Sequence, residues 1–370
     1  MFWWVLAAAL IWLAILALPW RPWDTREHVA ARAADAGREE LSRITALIPA
    51  RNEAATIADT LRRVAAQGPL ARIVLVDDES EDGTGDIARG LGLPPLRVLA
   101  GRRPPPGWSG KLWALHQGLA EVDTEFVLLL DADIALEPGI LATLAAKLID
   151  EERDMVSVMA ALSMHTPWEK LLIPAFIYFF KMLYPFALAN SKHRLVAAAA
   201  GGCILIRSAR LRAIGGFEAL RTALIDDCTL ARIVKNAGGR IWLGLSHDVR
   251  ASRPYDSLAA IWNMVARTAY TQLRYSPALL ALCTFLLVLV FVVPVLGLVA
   301  ADAAVRACAG IALLAMMASY LPVLRYYDRH WAWALSLPLA AALYLAMTWT
   351  SAWRYLRGER SRWKNRVYDV

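Results

Sequence analysis

The chain has 370 residues, is 58% hydrophobic and carries a formal net charge of +7. A mean hydropathy of +0.41 is too apolar for an ordinary cytosolic enzyme. The basic surplus sits beside apolar segments, and no zinc-finger, basic-helix or ribonucleoprotein motif accompanies it. It therefore reads as contact with anionic lipid, with no nucleic acid partner.

Residues 2–19, "FWWVLAAALIWLAILALP", hold no charge and approach the roughly 20 residues needed to cross a bilayer. No Lys or Arg precedes them and no small-x-small cleavage site follows. Trp3, Trp4, Trp12 and Trp20 suit interfacial ends, so residues 1–20 read as an uncleaved anchor in preference to a signal peptide. Arg21, Arg26, Arg32, Arg38 and Arg43 come next, and the positive-inside rule then puts the following domain, residues 21–275, in the cytosol.

From residue 43 strand and helix alternate. "RITALIPA" (43–50) reads as a buried strand, and residues 53–66 keep helical apolar spacing. Further strands are expected at 71–78, 96–101 and 125–131. Between and after them fall a helix capped by Thr84, a helix over 110–122 and a proline-led helix over 138–150. Such repetition implies an α/β fold with a mainly parallel sheet covered on both faces. Ligands of such sheets bind beyond the carboxyl ends of the strands. The acidic residues lie there: Glu53 after the first strand, Asp77 and Asp78 after the second, Asp131 and Asp133 after the fourth.

"LLLDADI" (128–134) drives an apolar strand into two carboxylates that repel each other. A divalent cation such as Mg²⁺ or Mn²⁺, its shell completed by phosphate and water, would offset that repulsion. A solvated loop with a helix cap is the plainer account. The phosphatases that use an aspartate nucleophile also open on such a motif, but they place it on the first strand and follow it with Thr or Val where Ala135 stands. The four cysteines, Cys203, Cys228, Cys283 and Cys308, are too far apart in sequence to suggest a zinc site or a structural disulfide.

Six blocks in order give a resemblance. They are "LIPARNEAATI" (47–57), "IVLVDDESEDGT" (73–84), "GWSGKLWALHQG" (107–118), "LLLDADI", "GGCILIRSARLRAIGGF" (201–217) and "IDDCTLARIVKNAGGRI" (225–241). The chain resembles a family-2 glycosyltransferase with the GT-A fold over residues 43–275. With "LPWRPWDTREHV" and the apolar spans it looks most like the hopene-associated membrane glycosyltransferases. That resemblance implies that Glu53, Asp77 and Asp78 hold the uracil and ribose of a nucleotide-sugar. It implies Lys111 and Asp131 at the diphosphate, Asp131 and Asp133 at the metal, and Asp227 as general base, with Asp226 capping the helix that follows. Helix capping alone is the competing account of either aspartate. The processive members' QxxRW motif is altered: in "TAYTQLRYS" (268–276) Gln272 stands two residues before Arg274, and Tyr275 replaces Trp. Arg274 is still expected near the diphosphate, but a polymer-threading site is not.

Residues 167–192, "PWEKLLIPAFIYFFKMLYPFALANSK", read as an interfacial helix with snorkelling Lys170, Lys181 and Lys192, or else as a buried core helix. His165, His193 and His247 are further candidate metal or phosphate contacts. Residues 278–300, 307–324 and 332–351 are apolar enough to span, within a C-terminal region of 276–352. A basic tail (353–370) follows. Three full crossings would leave that tail outside, so either one segment is re-entrant or the tail breaks the rule. Together these features imply a multi-pass protein of a bacterial-type inner membrane with a cytosolic catalytic domain. It would move one sugar, from a UDP-linked donor, to a hopanoid or other terpenoid lipid. A polyprenyl phosphate or glycerolipid acceptor, and a nucleotide-sugar-binding scaffold without turnover, are the alternatives.

Overall fold

The computed structural model describes residues 1–32, 35, 39–359, 362–363 and 366–367. Arg38 and much of the basic tail fall outside the described residues. The rest clusters into two compact units, one of residues 1–26, 164–187 and 255–359, the other built on 27–163 and 188–254. Residues 164–187 and 255–275, expected in the catalytic domain, thus belong with the apolar helices.

α1 (Phe2–Ala17) opens the first unit. The second begins with β1 (Ile44–Ala50), α2 (Ile57–Ala65), β2 (Arg72–Asp77), α3 (Thr84–Gly90), β3 (Leu96–Ala100), α4 (Gly110–Leu119) and β4 (Phe126–Leu130), near the expected bounds. β5 (Ile134–Leu136) was not anticipated. Its three residues are buried and pair with a strand more than a hundred residues later, a partner that no local pattern reveals. α5 (Ile140–Asp150) starts only after Gly139, at φ 84°, so Pro138 precedes the helix and does not lead it. β6 (Met155–Ala161) follows. α6 (Pro167–Leu183) and the single turn α7 (Phe186–Ala189) lead to β7 (Cys203–Arg207), α8 (Ser208–Ala213), α9 (Asp226–Asn236) and β8 (Ile241–Ala251).

The eight strands order as β3-β2-β1-β4-β7-β6-β8-β5. β3, β2, β1 and β4 are parallel neighbours, as expected. The far half is mixed, because β7 runs antiparallel to both β4 and β6, and β5 antiparallel to β8. Every residue of β1 and β4 is buried. Ala46 and Ile48 face a core with Leu61 of α2 and Leu144 of α5, while Leu47 faces one with Leu115 of α4 and Leu230 of α9. Alternate residues of one strand thus fill two layers, which is why the strand reads as continuously apolar. Gly118 lets α4 lie close to the sheet: a β-carbon there would stand 2.3 Å from Leu47 Cδ1 and 2.8 Å from Val76 Cγ2.

In the first unit, α6 begins with a capping box, in which Thr166 accepts from Glu169 N–H and the Glu169 carboxylate accepts from Thr166 N–H. The residues on its inner stripe, Leu172, Ile173, Ala175, Ile177 and Tyr178, are fully buried. Lys181, expected to snorkel, is 1% exposed, its ammonium 3.6 Å from the Phe186 ring. The helix is therefore packed along one face, with Trp168 and Leu183 exposed on it, and Lys181 does not snorkel. The unit continues with α10 (Leu258–Ala266), α11 (Ala269–Gln272), α12 (Pro277–Leu287), α13 (Val293–Gly297), α14 (Ala303–Tyr326) and α15 (Leu337–Leu356). Three helical stretches, Pro277–Gly297, Ala303–Tyr326 and Trp331–Leu356, are long and apolar enough to cross a membrane; α1, at 16 residues, is shorter. A π-helical stretch, Val288–Val292, joins α12 to α13. Pro294 has no N–H to give the Val290 carbonyl four residues back, and the Trp12 indole donates to that carbonyl at 2.8 Å.

Candidate active site

The ends of β1 and β2 are tied to each other before either reaches a ligand. The Arg51 guanidinium, 7% exposed, donates to the carbonyls of Asp78 (2.5 Å) and Glu79 (2.9 Å). Asn52 N–H donates to Ser80 Oγ, and the Asn52 carbonyl accepts from Glu81 N–H. Asn52 and Glu79 both sit in the left-handed region, at φ 51° and 52°, a strain of about 1–3 kcal/mol each that these bonds offset. Thr84 was expected to cap α3. Gly83 takes that position, and the Thr84 hydroxyl instead accepts from Glu53 N–H at 2.8 Å.

The carboxylates then separate into groups. Asp78 is fully buried, and its N–H donates to Ala50 O at 2.8 Å. Asp77 accepts from Ser80 N–H at 3.1 Å, and a β-carbon on Gly85 would stand 2.3 Å from its Oδ2. Glu53 accepts from Thr56 Oγ1 at 3.2 Å and pairs with the Arg253 guanidinium. Arg253 Nε also lies 3.8 Å from Asp133 Oδ2.

Asp131 belongs to a different group. Lys111, in the first turn of α4 behind the Ser109 cap, puts Nζ 2.7 Å from Asp131 Oδ1 and 3.8 Å from Asp226 Oδ2. Lys111, Asp131, Asp226, Asp227 and Gly201 line one cavity, with apolar walls that include Leu112 and Leu230. Glu53, Asp77, Asp78 and Asp133 are not among its lining residues. The two groups are still neighbours. β2, β1 and β4 lie side by side, and strand ends about 4.8 Å apart fit beneath one extended ligand.

The expectation that Asp226 caps α9 does not hold: the N-cap is Ile225, with no side-chain cap. Asp226 turns to Lys111, and Asp227 Oδ1 accepts from Cys228 N–H at 2.7 Å. Burial and the Asp226 carboxylate push the Asp227 carboxyl up to about 6, against the opposing pull of Cys228 N–H and Lys111. Burial also raises Asp131, and Lys111 only partly counters it. Burial would lower Lys111, but the carboxylates of Asp131, Asp226 and Asp227 outweigh it and hold the ammonium above its usual range.

Asp131 and Asp133 offer hard oxygen donors one residue apart. Among the described residues no third His, Cys, Asp or Glu joins them in a metal-binding group. His165, His193 and His247 are exposed, and none of them joins the pair. This donor set fits a cation whose remaining ligands come from phosphate and water, which is the habit of Mg²⁺ and Mn²⁺. Arg274 lies in the first unit, exposed, at φ 52°. Sequence reasoning missed Arg51 and Arg253. Each is a lone arginine whose partners are contributed by other strands, and neither has a local signal.

Residues 45–215 match the family model described as Glycosyl transferase family 2. That match covers less than half of the chain; the mixed α/β sheet as a whole is of the GT-A kind. The matched glycosyltransferase segment ends before α9, so Asp226, Asp227 and Arg253 lie beyond it. The chain is 27% identical over 135 residues to the 4,4'-diaponeurosporenoate glycosyltransferase of Staphylococcus haemolyticus, covering 36% of each chain. It is 28% identical over 209 residues to the probable glycosyltransferase YdaM of Bacillus subtilis, covering 55% of this chain and 49% of that one. The chain thus spans between a third and a half of the curated relatives it matches. In fold it is similar to a mannosyltransferase of Pyrobaculum calidifontis solved with GDP-Man and Mn²⁺, at a TM-score of 0.56 and 20% identity, covering 96% of this chain and 100% of that one.

Proposed function

We propose that the protein is a membrane-bound, metal-dependent, inverting glycosyltransferase that moves one sugar from a nucleotide-sugar to a lipid. The observation that carries this reading is the single cavity in which Lys111, Asp131, Asp226 and Asp227 meet at the carboxyl edge of the sheet. Asp227 removes the proton of the acceptor hydroxyl. The freed oxygen attacks the anomeric carbon, the bond to the diphosphate breaks on the opposite face, and configuration inverts. A carboxyl raised to about 6 is near the operating pH, where a general base works best. Lys111 faces the leaving diphosphate from the first turn of α4. Glu53, Asp77 and Asp78 serve the nucleoside, taking hydrogen bonds from ring and ribose donors. Asp131 and Asp133 would hold the divalent cation, which supplies charge neutralisation for the departing nucleoside diphosphate.

Three stretches long and apolar enough to span a bilayer support a lipid acceptor, a hopanoid or other terpenoid, and a multi-pass inner-membrane location with the catalytic unit in the cytosol. The altered QxxRW region supports transfer of a single sugar. The relative named as a 4,4'-diaponeurosporenoate glycosyltransferase guides the choice of acceptor class. The test is mass spectrometry of membrane lipids made with and without the protein, using UDP- and GDP-linked donors. A new glycolipid that is lost in Asp227→Asn supports the reading. A glycosylated polyprenyl phosphate or glycerolipid would reassign the acceptor, and unchanged lipids with every donor would overturn the reading.

A further inference from the structure

Arg253 is placed by strand register. β5 and β8 pair with Ile134 opposite Ala251, and Ser252 N–H donates to Asp133 O at 2.7 Å. Two residues beyond β8, the guanidinium therefore arrives beside Asp133 and spans to Glu53 at the end of β1. Lys111 does the same for Asp131. Each carboxylate of the 131–133 pair thus has a basic side chain where a divalent cation would bind. The two partners differ in freedom. Lys111 has 21% of its side chain exposed and is anchored in a helix, whereas Arg253 has 45% exposed and follows a strand end.

We propose that Arg253 is a stand-in cation: in the donor-free protein it neutralises Glu53 and Asp133, and on binding of metal and nucleotide it moves to the diphosphate. This rests on the glycosyltransferase reading above. A divalent ion at Asp133 repels a guanidinium beside it, and a diphosphate attracts the same group with a geometry suited to its planar fork. Metal alone must compete with Arg253. Metal arriving with a diphosphate gives Arg253 a new partner, so the two ligands bind cooperatively. Arg253 is thereby a donor-binding residue that sets the order of binding.

The experiment is Mn²⁺ titration of the full detergent-solubilised chain by electron paramagnetic resonance, alone and with UDP or GDP. Arg253→Ala is expected to bind Mn²⁺ alone about tenfold more tightly than the unaltered protein, because a competing charge has gone. Its affinity for the nucleoside diphosphate in the presence of Mn²⁺ is expected to fall about tenfold, with the loss of a charge-assisted fork. Arg253→Gln, which keeps length and loses charge, gives the same comparison should the alanine variant not fold. Unchanged or weaker Mn²⁺ binding in a folded variant, or unchanged nucleotide affinity, overturns the proposal. Asp133→Asn separates the two failures: if the unaltered protein binds Mn²⁺ no better than this variant, even with nucleotide, the metal site itself is refuted.

Discussion

The absence of a side chain on Gly201 is what gives Asp227 its room: a β-carbon there would stand 3.2 Å from Asp227 Oδ2 and 3.5 Å from Lys111 Nζ. Asn or Gln could not substitute at this glycine without pushing the carboxylate aside. Gly201→Ala adds only a methyl, and the turn before β7 should absorb it at about 1 kcal/mol or less. The carboxylate must shift by tenths of an ångström, and kcat is expected to fall about 10- to 100-fold. Parallel measurement of Tm and turnover checks this; equal turnover in the variant would contradict it.

The Asp227 carboxyl, held at about 6, should set the acid limb of the pH–rate profile. A base works only when unprotonated, so the rate is full above that value and is lost as pH falls through it. Asp227→Asn should cost about 10²–10⁴ in kcat. The same shift predicts the variant's stability. A folded pKa above the unfolded value of 3.8 means that the charged carboxylate opposes folding at neutral pH. The neutral amide removes that penalty, and the inactive variant should melt higher at pH 7, by about 1 kcal/mol. Thermal unfolding at pH 7 and pH 5 tests the sign, since the advantage should shrink as pH falls.

Lys235, at the far end of α9 from Asp227, is 4% exposed and donates to three carbonyls, those of Leu188 (3.1 Å), Ala189 (2.7 Å) and Val196 (2.6 Å). The ammonium ties the 188–196 segment to the helix that carries the acidic pair. Lys235→Met fills the space but leaves three acceptors unmet, at a cost of about 3 kcal/mol. Denaturant titration of the purified chain measures this, and a loss below about 0.5 kcal/mol would show that the tie is dispensable.

Trp12 and Pro294 should be coupled. Trp12→Phe removes the donor to the Val290 carbonyl, at a cost of about 1 kcal/mol. Pro294→Ala supplies a backbone N–H four residues on from that carbonyl, so the double variant should recover part of the loss. Tm values for the two single variants and the double variant form the cycle; strict additivity would mean that the carbonyl does not link them.

The carboxyl-edge acids were legible because each follows an apolar strand whose burial and end can be read from a few consecutive residues. Asp131 and Lys111 were expected at one ligand, and they meet at 2.7 Å. Asp226 was misassigned as a cap because local pattern alone cannot show that a lysine from α4 reaches it. β5 and Arg253 escaped notice for the same reason, since their partners lie more than a hundred residues away in sequence.

By itself, then, the order of residues determined the alternation of strand and helix, the apolar stretches and the acids at the strand ends, because periodicity and hydropathy act over a few neighbours. Only the tertiary structure decided that Asp226 leans on Lys111, that Arg253 bridges Glu53 and Asp133, and that Lys181 of α6 is buried. Those outcomes depend on sheet register and on which chain segments share a core, and such long-range pairings leave no mark on adjacent residues.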